Sequence, residues 1–149
     1  MKLSPCLEMF FKELPFVDRI AAVADAGFDA GEFWKAGNKD LDAIADACDR
    51  HGVTITSLTA CGNLTDPEQH PNAETELRSA IEAAYRVDCS RLIVLSGNVI
   101  PKKPRSELLR NVTEGLKRLA PIAESAGVTL VLELLNSAYN HPGYLLDNT

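Results

Sequence analysis

Apolar positions along the chain change period repeatedly, and each change predicts an element. An apolar and aromatic run over residues 2–11 predicts a first strand. Glu13-Leu-Pro15-Phe-Val-Asp18 then introduces a helix with proline in its first turn. Phe16, Ile20, Val23 and Ala24 recur at helical spacing, leaving Asp18, Arg19 and Asp25 for solvent until Gly27 stops the helix. Residues 28–34 predict a second strand, and Leu41, Ile44, Ala45 and Cys48 a second helix ended by Gly52. The β-branched run 53–59 predicts a third strand. After a loop over residues 61–71, Asn72 is placed to cap a helix through Leu77, Ile81, Ala84 and Tyr85. Residues 91–95 predict a fourth strand. Ser106 is placed to cap a long helix through Leu109, Val112, Leu116, Leu119 and Ile122, which Gly127 closes before a fifth strand over 128–135.

Strand and helix thus alternate strictly, five strands to four helices, and the strands are wholly apolar rather than alternating. That pattern predicts a parallel sheet buried on both faces. One phrase recurs at three helix ends, Ala26-Gly-Phe, His51-Gly-Val and Ala126-Gly-Val, as a βα repeat would produce. A doubly wound sheet is complete at five strands, whereas a (β/α) barrel needs eight and roughly 250 residues. Length favours the first, since the chain has 149 residues, enough for one domain or part of a larger one. No Gly-x-Gly-x-x-Gly follows the first strand, and no helix follows the last, which favours the second.

Charge narrows the partners. A net charge of -6 leaves no basic stripe to release phosphate counterions, which argues against nucleic acid or an anionic membrane and for a small molecule. Cys6, Cys48, Cys61 and Cys89 lack zinc-site spacing and are expected to be reduced. The N-terminus lacks a signal-peptide core and no apolar run reaches membrane-spanning length, so a cytoplasmic location is expected. The sequons at Asn63 and Asn111 are then expected to be accidental.

In parallel α/β folds the chemistry sits at the C-terminal ends of the strands. The residues there are Glu8, Glu32, 59–62, 96–98 and 133–136. Glu8, Glu32 and Glu133 would converge if the strands curve round one axis, and such a cluster suits a divalent metal or an acid/base pair. The alternative for each is a strand-end carboxylate paired with a nearby lysine or capping a helix. Glu133 stands out because it interrupts an otherwise apolar strand, where an unpaired charge is costly. His70 and His141 fall in loops, where solvated side chains are the ordinary case, and His51 at a helix end suits the dipole. Lys102, Lys103 and Arg105 form a basic cluster that either holds an anionic group or is simply solvated. Trp34 either walls a sugar-sized pocket or packs the mouth of the sheet.

Three phrases carry a resemblance: Leu7-Glu-Met-Phe-Phe-Lys-Glu-Leu-Pro-Phe16, Ala26-Gly-Phe-Asp-Ala-Gly-Glu-Phe33, and Leu132-Glu-Leu-Leu-Asn136 followed by His141-Pro-Gly-Tyr144. Together they resemble hydroxypyruvate isomerases of the xylose-isomerase-like TIM-barrel group. The resemblance implies a truncated (β/α)8 TIM barrel of about five parallel strands and four helices, with residues 1–149 as the N-terminal part of the domain. It implies interconversion of hydroxypyruvate and 2-hydroxy-3-oxopropanoate with a divalent metal of the Mg or Mn class. Glu133 matches the family's metal-binding and proton-transferring glutamate. Glu32, Trp34 and Asn136 are the candidates for binding a hydroxy acid, keto acid or sugar. Ile93 stands where some relatives carry histidine, and ketose 3-epimerases belong to the same group, so the resemblance leaves the substrate open. The isolated chain is expected to be inactive, because the remaining ligands come from later strands in that family. A non-catalytic half-barrel module, self-associating through open sheet edges, is the competing expectation.

Overall fold

The structure is a computed structural model and describes residues 3–148. The described residues form α1 (Asp18–Asp25), β1 (Ala30–Phe33), α2 (Leu41–His51), β2 (Thr54–Cys61), α3 (His70–Arg86), β3 (Arg91–Leu95), α4 (Arg105–Ser125) and β4 (Thr129–Glu133). The sheet is parallel, in the order β1-β2-β3-β4. A doubly wound sheet reverses its strand order at a switch point, whereas a barrel adds each strand beside the last. The unbroken order is the barrel progression.

The expected first strand shrinks to a bridge. Residue 2 lies outside the described residues, and of the rest Cys6 bridges in parallel to Glu32. Leu7 N–H donates to the Glu32 carbonyl at 2.8 Å, and Glu32 N–H to the Pro5 carbonyl at 3.0 Å. Pro5 has no N–H to extend the ladder. Beyond Leu7 the chain turns, with the Met9 and Phe10 N–H groups both returning to the Cys6 carbonyl and Phe11 at φ 56°. The bridge lies on the β1 side, so it continues the same progression.

The pairing of β1 with β2 is irregular. Ala30 faces Thr54 and Gly31 faces Ile55, but Phe33 faces Leu58, so β2 carries one extra residue opposite Glu32. A bulge re-aims side chains locally. Ile55, Leu58 and Cys61 are consequently the buried positions of β2.

Local chemistry sets the helix ends. The Asp40 carboxylate accepts from Ala43 N–H at 3.0 Å at the start of α2, and Gly52 ends it in the left-handed conformation at φ 67°. Neither Asn72 nor Ser106 caps as expected. Asp66 caps a short 3-10 turn over Pro67–Gln69 that runs directly into α3, so Asn72 already lies within the helix and donates to Glu76. Pro104, extended at φ -62° and ψ 142°, precedes α4 and leaves Ser106 inside its first turn.

Contacts group the chain into two compact units, one of residues up to 59 with 80–92, the other of 60–79 with residues from 93 on. In the first, Leu7, Ile20, Phe33, Ile44, Ile55, Leu58 and Leu92 are fully buried. In the second, Leu64, Leu77, Leu108, Leu119 and Leu145 are. Each such side chain contributes roughly 1.5–3 kcal/mol by leaving water. The expectation of burial on both faces fails at β4, where Val131 is 41% exposed, and just past its end, where Leu134 is 43% exposed. This strand ends the order, and no described helix follows it.

Candidate active site

Glu133 is the last residue of β4, where the strand gives way to a loop folded back on its own unit. Leu135 N–H donates to the Leu146 carbonyl at 3.2 Å, Leu145 N–H to Gly97 at 3.0 Å, and Val99 N–H to Gly143 at 2.7 Å. Asn98 and Tyr144 form an antiparallel bridge there. Tyr144, 5% exposed, links the ends of β3 and β4 with one hydroxyl. It accepts from Ser96 N–H at 2.8 Å and donates to the Glu133 carbonyl at 3.1 Å. The backbone that presents Glu133 is therefore held by a hydrogen-bond relay through a buried tyrosine. Tyr144 belongs to a motif noted in the sequence, but no local pattern assigns its hydroxyl this task.

Glu133 itself is only partly buried, so desolvation weighs less on its carboxylate than a fully buried strand would imply. Asn136 is exposed, and its side-chain oxygen accepts from Ala138 and Tyr139 N–H at 3.0 and 3.2 Å, shaping the loop beyond Glu133. An open groove of about 360 Å³ lies in the same unit, lined by Asn63, Thr65, Asp66, Gln69 and Asn98 among others.

In the other unit, Glu32 sits opposite the β2 bulge, and Ser57 Oγ donates to its carboxylate at 2.8 Å. Glu8 forms an ion pair with Lys39 at 2.7 Å, the bland alternative read from sequence. Trp34, just past β1, is 47% exposed, with its carbonyl taking the Thr59 N–H at 2.9 Å. Among the described residues no group of three or more His, Cys, Asp or Glu side chains is placed to hold a metal ion. Glu8 and Glu32 belong to the first unit, where Lys39 and Ser57 are their partners, and Glu133 belongs to the second.

The histidines divide. His141 is exposed in a turn and His51 closes α2, as expected. His70 departs from expectation: it opens α3, is 4% exposed, and places Nε2 3.0 Å from the Leu64 carbonyl. Gly115 makes room for that ring, since a Cβ there would lie 3.1 Å from Nε2. Lys102 and Lys103 are exposed. A hydrogen bond and ion pair with Glu107 raise the Lys103 pKa, which fits solvated surface charge. The Asn111 side-chain nitrogen, the atom a glycan would occupy, donates to the Thr65 carbonyl at 2.8 Å.

All four cysteines are unbridged, and burial first of all raises every thiol pKa, with Cys48 at about 11 and Cys61 at about 12. At pH 8 the Cys61 thiol is then almost wholly protonated. In the native chain Cys48 and Cys61 are expected to react with a thiol-exchange reagent far more slowly than after unfolding in denaturant. Equal native and denatured rates would contradict the burial described.

The profile of the xylose isomerase-like TIM barrel family matches residues 20–149. The chain belongs to that family. It is 28% identical to a 2-oxo-tetronate isomerase of Pectobacterium atrosepticum, over 97% of this chain and 58% of the relative. It is 32% identical to a Streptomyces coelicolor protein with the provisional name hydroxypyruvate isomerase, over 87% of this chain and 53% of the relative. Among solved structures, a family 2 AP endonuclease from Brucella melitensis superposes with a TM-score of 0.87 at 25% identity, covering 97% of this chain and 59% of that one. The xylose isomerase-like chain described here therefore spans little more than half the length of the relatives it matches.

Proposed function

We propose that this chain carries part of the active site of a sugar or keto-acid isomerase, acting on hydroxypyruvate or a close hydroxy-oxo acid. The observation that carries the reading is Glu133, a carboxylate at the C-terminal end of a barrel-type strand, whose backbone carbonyl is held by the buried Tyr144. Relatives named 2-oxo-tetronate isomerase and hydroxypyruvate isomerase support the substrate class.

In the proposed reaction the Glu133 carboxylate removes a proton from C3 of hydroxypyruvate. The C3–H electron pair becomes the C2–C3 double bond of an enediolate, with the negative charge on the C2 oxygen. The proton returns to C2, the O3 proton moves to O2, and C3 becomes the aldehyde of 2-hydroxy-3-oxopropanoate. No atom is gained or lost. The Asn136 side chain, in the same unit as Glu133, offers a hydrogen-bonding group to a hydroxy acid. A ketose 3-epimerase would use the same proton abstraction but return the proton to the opposite face of the same carbon. A divalent ion of the Mg or Mn class at Glu133 belongs to the proposal only with donors beyond those described. A cytoplasmic setting fits the four unbridged thiols. Among the described residues no helix is long and apolar enough to cross a membrane. The net charge of -6 speaks against DNA as the substrate despite the endonuclease likeness.

The test is hydroxypyruvate turnover in D2O, followed by proton NMR. It compares the chain alone with the chain joined to the C-terminal part of the Pectobacterium relative. The joined form is expected to be active and the chain alone silent; turnover by the chain alone would overturn the expectation of an incomplete site.

The exposed face of β4 favours a second reading, in which two copies of this chain associate through that strand. Val131 on the strand and Leu134 just past its end present apolar surface, and two copies approximate one relative in length. Light scattering is expected to give twice 16.2 kDa, and Val131→Lys with Leu134→Lys to restore the monomer. A monodisperse wild-type monomer would count against this reading.

A further inference from the structure

The loop between β1 and α2 begins at Trp34 and reaches Lys39 just before the Asp40 cap. A lysine in a loop ordinarily keeps its ammonium in water. Lys39 does the opposite, with a side chain only 7% exposed. Burying an ammonium is costly unless every donor finds a partner.

The partners are present. Nζ lies 2.7 Å from Glu8 Oε1, donates to the Lys35 carbonyl at 2.6 Å, and has Asn38 Oδ1 at 3.4 Å. It also stands over two aromatic faces, 4.6 Å from the Phe16 centroid and 5.4 Å from that of Phe33. Those rings pack edge to face at 5.6 Å and 80°, and Phe33 is fully buried. The ammonium is therefore seated against one fully buried ring and a second, partly buried one packed on it.

The partners of the ammonium lie on two different segments. Glu8 lies on the turn after the Cys6 bridge, and the Lys35 carbonyl is one residue past Trp34. Trp34 is itself 47% exposed, so burial does not immobilise its ring. We propose that Lys39 is a positioning residue: its buried ammonium ties Glu8 and the backbone beside Trp34 to the Phe16–Phe33 pair, setting the orientation of Trp34. This inference goes beyond the isomerase reading and does not require it.

The chain has a single tryptophan, so its fluorescence reports this loop alone. Time-resolved anisotropy of the full chain is the measurement. Lys39→Met keeps the stem and removes the charge, and is expected to raise the amplitude of the sub-nanosecond decay about twofold or more. Glu8→Gln, which removes one anchor, is expected to raise it by a smaller amount, and Lys39→Arg to return it towards wild type. A purely structural lysine would shift the unfolding midpoint while leaving the native anisotropy decay unchanged. Unchanged decay in a folded Lys39→Met chain would overturn the proposal. If that variant does not fold, Glu8→Gln decides: an unchanged decay overturns the proposal, a raised one supports it. A Lys39→Arg decay as fast as that of Lys39→Met, with Glu8→Gln silent, would assign the effect to packing rather than charge and overturn it as well.

Discussion

In the chain joined to the C-terminal part of the Pectobacterium isomerase, Glu133→Gln is expected to lower hydroxypyruvate turnover by about 10²–10⁴-fold, the usual contribution of a positioned general base. The amide has nearly the size of the carboxylate but accepts no proton. The clamp that presents residue 133 uses the backbone carbonyl, which the substitution leaves in place, so Tyr144 still bonds both Ser96 N–H and residue 133. The loss should therefore fall on kcat, with the circular dichroism spectrum and KM little changed. Solvent deuterium incorporation into substrate should fall in parallel, since it reads the same proton abstraction. Wild-type turnover in the glutamine variant would remove Glu133 from the chemistry and leave the isomerase reading to another carboxylate.

Gly97→Ala is expected to cost the chain about 2–6 kcal/mol, a large share of the 5–15 kcal/mol that holds a typical domain folded. Two independent effects add. Gly97 has φ +98°, a backbone conformation that side chains rarely adopt, for about 1–3 kcal/mol. A Cβ there would also lie 2.9 Å from Asn63 Cα and 2.9 Å from Thr65 Oγ1. The Asn63 contact is with backbone and cannot be relieved by a rotamer change, so overpacking contributes a further 1–3 kcal/mol or so. Gly143→Ala separates the two, because Gly143 shares a positive φ of +86° but has no heavy atom within 4 Å of the added Cβ. Urea midpoints should fall for both, and clearly further for Gly97→Ala. Equal falls would show that the close approach to Asn63 contributes nothing.

The two positions differ in how legible they were. Glu133 announces itself in the sequence because it breaks an apolar strand at the end where barrel chemistry sits. Gly97 follows a strand in a Ser-Gly-Asn turn, which predicts a loop but not that the backbone of residue 63 passes within van der Waals reach. The difference is general here. Short-range patterns place elements, while contacts between residues far apart in sequence set their tolerances.

The sequence by itself determined the alternation of helix and strand, the glycine stops at 27, 52 and 127, and the parallel sheet. All of these follow from hydrophobic period and local backbone preference. It also exposed the carboxylate at the end of β4. Tertiary structure alone decided the rest. It reduced the first strand to the Cys6 bridge, because Pro5 and the turn at 7–10 withdraw the ladder's donors. It placed a bulge opposite Glu32 that brings Ser57 to that carboxylate. It buried His70 against the space left at Gly115, and it buried the Lys39 ammonium between Glu8 and two rings. It also left β4 half exposed where an apolar run had implied a buried strand. Beyond the local turn at Pro5, the physical reason is shared: each case rests on at least one partner distant in sequence, such as Ser57 for Glu32, Gly115 for His70 and Glu8 for Lys39, or on a neighbour's absence, and no periodicity along the chain encodes either.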